Sequence, residues 1–274
     1  MDHRKSSKKL KIYLFLVLLI LAGLFFVKVN KKTYFDNYFL GAKNRVLPQI
    51  FQNDDNIDTL IASEIDKFEG HWAVAVKNLK TGKTYTYNAD EKFGSASLYK
   101  LAIMWTAFSA IENGQIRREE LEPQLTSMIS YSDNDSAAFL AEKFGWDNIS
   151  ALMDQEELAD IDLSNPPQVT AQSISNLLGR IYADTAVSPS ASKQMKELLF
   201  AQTVNDRIPK YLPDDIKVGH KTGELDYLRH DAGIVLGKKS HYIFVFLSET
   251  PIPEEASENI ALLSKKIFNE LENQ

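Results

Sequence analysis

The chain contains no cysteine. Disulfides and thiolate metal sites are excluded, and so is a lipoprotein anchor, which needs a cysteine at its cleavage site. The absence leaves the redox compartment open. The five histidines, His3, His71, His220, His230 and His241, show no zinc-ligand spacing. Net positive charge is also missing from most of the chain. Residues 1–32 carry eight Lys/Arg against one Asp; the rest, with 23 Lys/Arg against 36 Asp/Glu, has a formal charge of −13. So acidic a body argues against a nucleic-acid partner and suits solubility.

What is present begins with a basic leader. Arg4, Lys5, Lys8, Lys9 and Lys11 precede an apolar run, which Lys28, Lys31 and Lys32 follow. Lysine stems at both ends can snorkel and extend a slightly short span. Denser positive charge before the run predicts the N-terminus inside and the remainder outside. A cleavable signal peptide is the competing reading, but no small-x-small site follows; Leu24, Phe25, Phe26 and Val27 stand there. We therefore expect a cytoplasmic leader at 1–11, an uncleaved single-pass transmembrane anchor at 12–29, an extracellular stalk at 30–53 and a folded domain at 54–274. This places the domain at a cell membrane, outside, as on a Gram-positive surface. Tyr34, Phe35, Tyr38 and Phe39 could rest at the membrane interface or pack on the domain.

With 44% hydrophobic and 25% charged residues in 274, one large domain or two lobes around one site would fit. Asp54 and Asp55 start a helix with Ile57, Leu60, Ile61 and Ile65 at helical spacing, ending near Gly70. Residues 72–79 and 84–88 read as strands joined by a turn at Lys80-Thr81-Gly82. Residues 98–112 form a helix apolar on nearly every face, hence buried, closed by Asn113-Gly114. Helices are expected at 125–130, 135–144, 149–153, 171–183 and 189–200, strands at 218–225, 230–236 and 242–248, and an amphipathic helix at 256–271. The plan is α+β, with a five-stranded antiparallel sheet built from both chain ends, flanked by helices, and an inserted all-helical lobe.

Three short motifs carry the chemistry: Ser97-Leu98-Tyr99-Lys100, Ser132-Asp133-Asn134 and Lys221-Thr222-Gly223. Singly they are weak. S-x-x-K recurs at Ser6 and Ser190, and K-T-G recurs at Lys80. A serine before a helix is usually a cap, and a polar cluster before a helix a capping segment. Their specificity lies in the order and the context. Together they resemble the S-x-x-K, S-D-N and K-T-G set of the class A β-lactamases and penicillin-binding proteins, active-site serine hydrolases with the β-lactamase/transpeptidase-like fold.

The resemblance implies roles. Ser97, in the first turn of the buried helix, would be the nucleophile, and Lys100, on the same face, its base. Lys100 would have to be neutral part of the time, which burial and a second cation, Lys221, would favour. Ser132 would relay a proton to the leaving nitrogen, Asn134 would bind the substrate's side-chain amide, and Asp133 would be structural. Lys221 and Thr222 would hold the substrate carboxylate. Gly223 would let the substrate approach the strand closely, and the backbone N–H groups of Ser97 and Glu224 would form the oxyanion hole. No cofactor or metal is called for. A Ser-His-Asp triad from His220, His230 and Asp231 is the lesser alternative. Arg229 could bind a carboxylate but reads as a solvated strand-end charge.

The sequence departs from the family in one place. Class A β-lactamases activate the deacylating water with a glutamate in E-x-x-L-N. Residues 154–170 here, DQEELADIDLSNPPQVT, lack that motif, and Glu156 and Glu157 read as solvent-facing charges at a helix end. The expectation is a monomeric, membrane-anchored β-lactamase-like enzyme that β-lactams acylate and that releases the acyl group poorly. The alternative is a D,D-peptidase-like enzyme acting on D-Ala-D-Ala stems. A third reading, a non-enzymatic penicillin sensor, is disfavoured by the intact Ser97, Lys100, Ser132 and Lys221 set.

Overall fold

The computed structural model describes residues 56–274. The leader, the apolar run, the stalk and the helix start at Asp54 and Asp55 lie outside the described residues. Among the described residues no helix is long and apolar enough to cross a membrane.

Apolar alternation builds the sheet and divides the core. Strands β1 (His71–Asn78), β2 (Thr84–Tyr87), β5 (Lys217–Leu225), β6 (Leu228–Leu236) and β7 (His241–Glu249) pair antiparallel in the order β2-β1-β7-β6-β5. The first two and last three strands of the chain thus meet where β1 pairs with β7, Ala75 facing Val245. Side chains alternate between sheet faces. Trp72, Val74, Val76, Phe244 and Phe246 enter one core, with Ile57 and Ile61 of α1 (Asn56–Ile65) and Ile260 and Ile267 of the terminal helix, Pro253–Asn273. Ala73, Ala75, Ile243, Val245 and Leu247 enter the other, against the helical lobe. Covered on both faces, β1 and β7 read as continuous apolar runs.

The helical lobe is α2 (Lys100–Glu112), α3 (Arg118–Ser130), α4 (Asn134–Phe144), α5 (Trp146–Gln155), α6 (Ala171–Tyr182) and α7 (Pro189–Phe200); the terminal helix is α8. Every residue of α2 from Lys100 to Phe108 is buried, as its all-round apolarity predicts.

Three departures have local causes. Helix α3 starts at Arg118, seven residues before the expected 125. Pro123 removes one intrahelical donor, but buried Leu121 and Leu125 anchor that face and Arg118 pairs with Glu122 at i,i+4. Gly145, at φ +83°, both ends α4 and starts α5, which begins three residues early at Trp146. The sequence also gave no sign of a two-stranded sheet, β3 (Phe93–Gly94) with β4 (Gln168–Val169), because two residues are too few to show a period. It joins the segment before Ser97 to the end of residues 154–170, and Ser95 N–H donates to Pro167 O at 2.8 Å.

Candidate active site

Ser97 lies in a 3-10 turn, Ala96–Tyr99, that runs into α2; the expected single helix from Ser97 is this turn followed by α-helix from Lys100. The tighter winding still places Lys100 three residues on, its N–H bonded to Ser97 O. Ala96 has φ +42°, a conformation that strains a residue with a Cβ, immediately before Ser97. The turn backs onto β5: a Cβ on Gly223 would lie 3.3 Å from Ala96 Cβ and 3.1 Å from His230. Glycine at 223 is what lets the serine's turn and the cleft strand approach so closely.

Ser132 sits between α3 and α4, also left-handed at φ +60°. Each of its oxygens accepts a lysine. Lys100 Nζ donates to its carbonyl at 2.6 Å, and Lys221 Nζ donates to its Oγ at 2.7 Å. Lys100 also donates to Asn134 Oδ1 at 2.7 Å, and Lys221 to Thr222 O at 2.8 Å. Asp133 caps α4, accepting from Ser136 N–H at 2.7 Å. The structure therefore gathers Lys100, Ser132, Asn134, Lys221 and Thr222 at one place, with Ser97 and Gly223 held in the two segments beside them.

Both lysines are buried. Burial lowers Lys100 to about 8, against the pull of Asp133. Lys221 falls to about 7, from burial first and then the charge of Lys100, with Asp231 opposing and Arg207 assisting. The structure reverses the expected effect of Lys221 on Lys100: the charge of Lys100 lowers Lys221, while at Lys100 desolvation is the cause of the shift.

His220 and His230 serve the framework. His220 Nδ1 lies 2.8 Å from Asp231 Oδ1 and its Nε2 lies 3.1 Å from Asn205 Oδ1, so this pair engages no serine. His230 Nδ1 accepts from Ser248 N–H at 3.1 Å, which leaves Nε2–H to donate to Gly94 O at 2.8 Å. Arg229 corrects the solvated reading: its side chain is 12% exposed, and its Nη2 lies 3.2 Å from Glu224 Oε1. Glu156 caps α5, its carboxylate 3.2 Å from Arg180 Nη1, while Glu157 is exposed beside it. Among the described residues no group of three or more His, Cys, Asp or Glu could hold a metal ion. Arg207 was missed from the sequence. It is buried just before a 3-10 turn, Ile208–Tyr211, where no periodicity marks it, and Nη2 donates to Glu224 Oε2 at 2.8 Å.

The sequence profile of the beta-lactamase enzyme family matches residues 54–122 and 118–271. The chain belongs to this family. Among curated proteins none matches it. Similar solved structures include PBP-A, at TM-score 0.76 and 18% identity, covering 81% of this chain and 97% of that one. A PBP-A variant solved as an acyl-enzyme complex with penicillin G gives 0.75 and 18%, over 80% and 97%. A class A β-lactamase from Bacteroides cellulosilyticus gives 0.73 and 20%, over 80% and 98%. At these identities the likeness establishes the fold, the five-stranded sheet with a helical lobe.

Proposed function

We propose that this family member is a serine hydrolase that β-lactams acylate at Ser97 and that releases the acyl group slowly. The observation that carries the reading is the pair of buried, proton-poor lysines, one at each oxygen of Ser132. Neutral Lys100 would take the proton of Ser97 as its Oγ attacks the lactam carbonyl. The N–H groups of Ser97 and Glu224 would receive the developing oxyanion. The lactam C–N bond breaks as Ser132 passes its proton to the nitrogen and takes in its place the proton that Lys100 removed from Ser97, while Lys221, donating to Ser132 Oγ, polarises the relay and attracts the substrate carboxylate with Thr222. Asn134 uses Oδ1 on Lys100, which leaves its amide N–H₂ to bind the substrate's side-chain carbonyl.

Hydrolysis of the resulting ester needs an activated water. Glu156 is engaged by Arg180, which argues against its serving as that base. The same observation favours a second reading, a D,D-peptidase-like enzyme acting on D-Ala-D-Ala stems, in which slow release of a β-lactam is the expected behaviour. Nitrocefin separates them. A stoichiometric burst followed by slow turnover, equal in the parent, Glu156→Gln and Glu157→Gln proteins, supports the proposal. Fast steady turnover removes the slow-release part. D-Ala release from a stem peptide selects the second reading.

We further infer a monomer tethered through residues 12–29 with its catalytic domain outside. The basic leader before an apolar run and the acidic remainder support this. Recovery of the protein from salt-washed membranes of expressing cells, with the domain open to external protease, is the expected result.

A further inference from the structure

The cleft strand does not end its chemistry at Gly223. Side chains two apart on a strand share a face, so Glu224 follows Thr222 about 7 Å further along β5. Its carboxylate is gripped on both oxygens, by Arg207 Nη2 at 2.8 Å and Arg229 Nη2 at 3.2 Å. The arginines are the fixed part of this group. Arg207 is 1% exposed, with Nε donating to Ser257 Oγ at 3.2 Å, and Arg229 Nη1 donates to Leu228 O at 2.9 Å. Glu224 is 58% exposed, so the carboxylate is the part that solvent, or a ligand, can reach and replace. The guanidiniums also have capacity left: Arg207 Nη1 is buried without a hydrogen-bond partner among the described residues, with Asp206 Oδ1 3.6 Å away.

Two guanidiniums on one carboxylate form a built anion site, and in this chain the site is filled from within. We propose that Glu224 is a specificity-determining residue: an internal carboxylate seated on Arg207 and Arg229 that denies this pair to the anionic group of a substrate. The substrate carboxylate is then left to Lys221 and Thr222. The inference rests on the reading of residues 221–223 as the substrate-binding strand. Its consequence is a muted preference for anionic over neutral ligands. Removing the internal charge releases the preference, because a freed guanidinium can form a charge-assisted bond to the ligand's anion, an effect of about tenfold in rate.

The test compares second-order acylation constants for benzylpenicillin and its methyl ester, which lacks the negative charge, in the parent, Glu224→Gln and Glu224→Asp proteins. The aspartate keeps the charge but is too short to span both guanidiniums, and it guards against a glutamine variant that fails to fold with Arg207 uncompensated. The expected result is a rise of about tenfold in the acid-to-ester ratio for Glu224→Gln and a smaller rise for Glu224→Asp. A ratio unchanged in both folded variants, or unchanged in the aspartate variant when the other does not fold, overturns the proposal. Failure of the parent to acylate with either ligand would instead remove the serine-hydrolase reading itself.

Discussion

Lys100 and Lys221 each donate to a different oxygen of Ser132, and burial has weakened the hold of both on their protons. The proposed chemistry needs them unlike: one neutral as a base, the other charged to bind a carboxylate. The pair loses protons near pH 7 and near pH 8, Lys221 the first to do so. Of the two singly protonated forms only the minor one, with the proton on Lys221, offers both functions, and its share of the singly protonated pair does not change with pH. The second-order acylation constant should therefore trace a bell with its maximum between those limbs, measured with a fluorescent penicillin. A profile flat from pH 6 to 9 would contradict it. Lys100→Ala should slow acylation about 10²–10⁴-fold, the usual contribution of a positioned base, with its cooperative melt retained. Undiminished acylation would remove Lys100 as the base.

At the scale of elements, the site depends on how the Ser97 turn is braced. His230 spans from Gly94 in β3 to Ser248 in β7, and its flank fills the space beside Gly223. Burial pushes its imidazole down to about 4, with the Arg207 and Arg229 charges adding to the depression against the pull of the Gly94 carbonyl. Between pH 6.5 and 4 the unfolded chain takes up a proton at this histidine and the folded chain does not. Stability from this group is thus full above 6.5 and falls with acidification to pH 4, by on the order of 3 kcal/mol. Urea unfolding across that range should give a steeper loss in the parent than in His230→Gln; equal slopes would show that the histidine is not held neutral. Gly223→Ala should press on Ala96 and His230, cost about 1–3 kcal/mol, and lower acylation by displacing the Ser97 turn, measurable by urea midpoint and labelling rate.

These elements also show what could be read from sequence and what could not. The apolarity of α2 on every face announced a central helix, and short apolar runs bounded by turn residues announced strands β6 and β7. The motif order pointed to Lys100, Ser132 and Lys221 because each motif is short and local. The brace was hidden because its partners are distant in the chain: His230 lies 136 residues from Gly94, and a two-residue strand has no period. Arg207 was illegible for a related reason, whereas Arg229 reads from the sequence as a possible carboxylate binder or, in preference, a solvated charge. Arg229 faces Glu224 directly across the β5–β6 hairpin, but Arg207 reaches it from 17 residues away, outside any strand, and that pairing leaves no local pattern.

At the scale of the whole molecule, the sheet assembled from both chain ends and the helical lobe each contribute one side of the site. β5 supplies Lys221 to Glu224; α2 and the α3–α4 junction supply Lys100, Ser132 and Asn134. The proposed acylation by β-lactams accords with membership of the beta-lactamase enzyme family, and the engaged Glu156 sets the expectation that acylation outruns release. The most direct measurement is intact-protein mass spectrometry after brief exposure to benzylpenicillin, with peptide mapping, on the parent and Ser97→Ala proteins. The account predicts one acyl group per chain, located on Ser97 and persisting through dilution, and an unmodified variant. An adduct on another residue, or equal modification of both proteins, would contradict it.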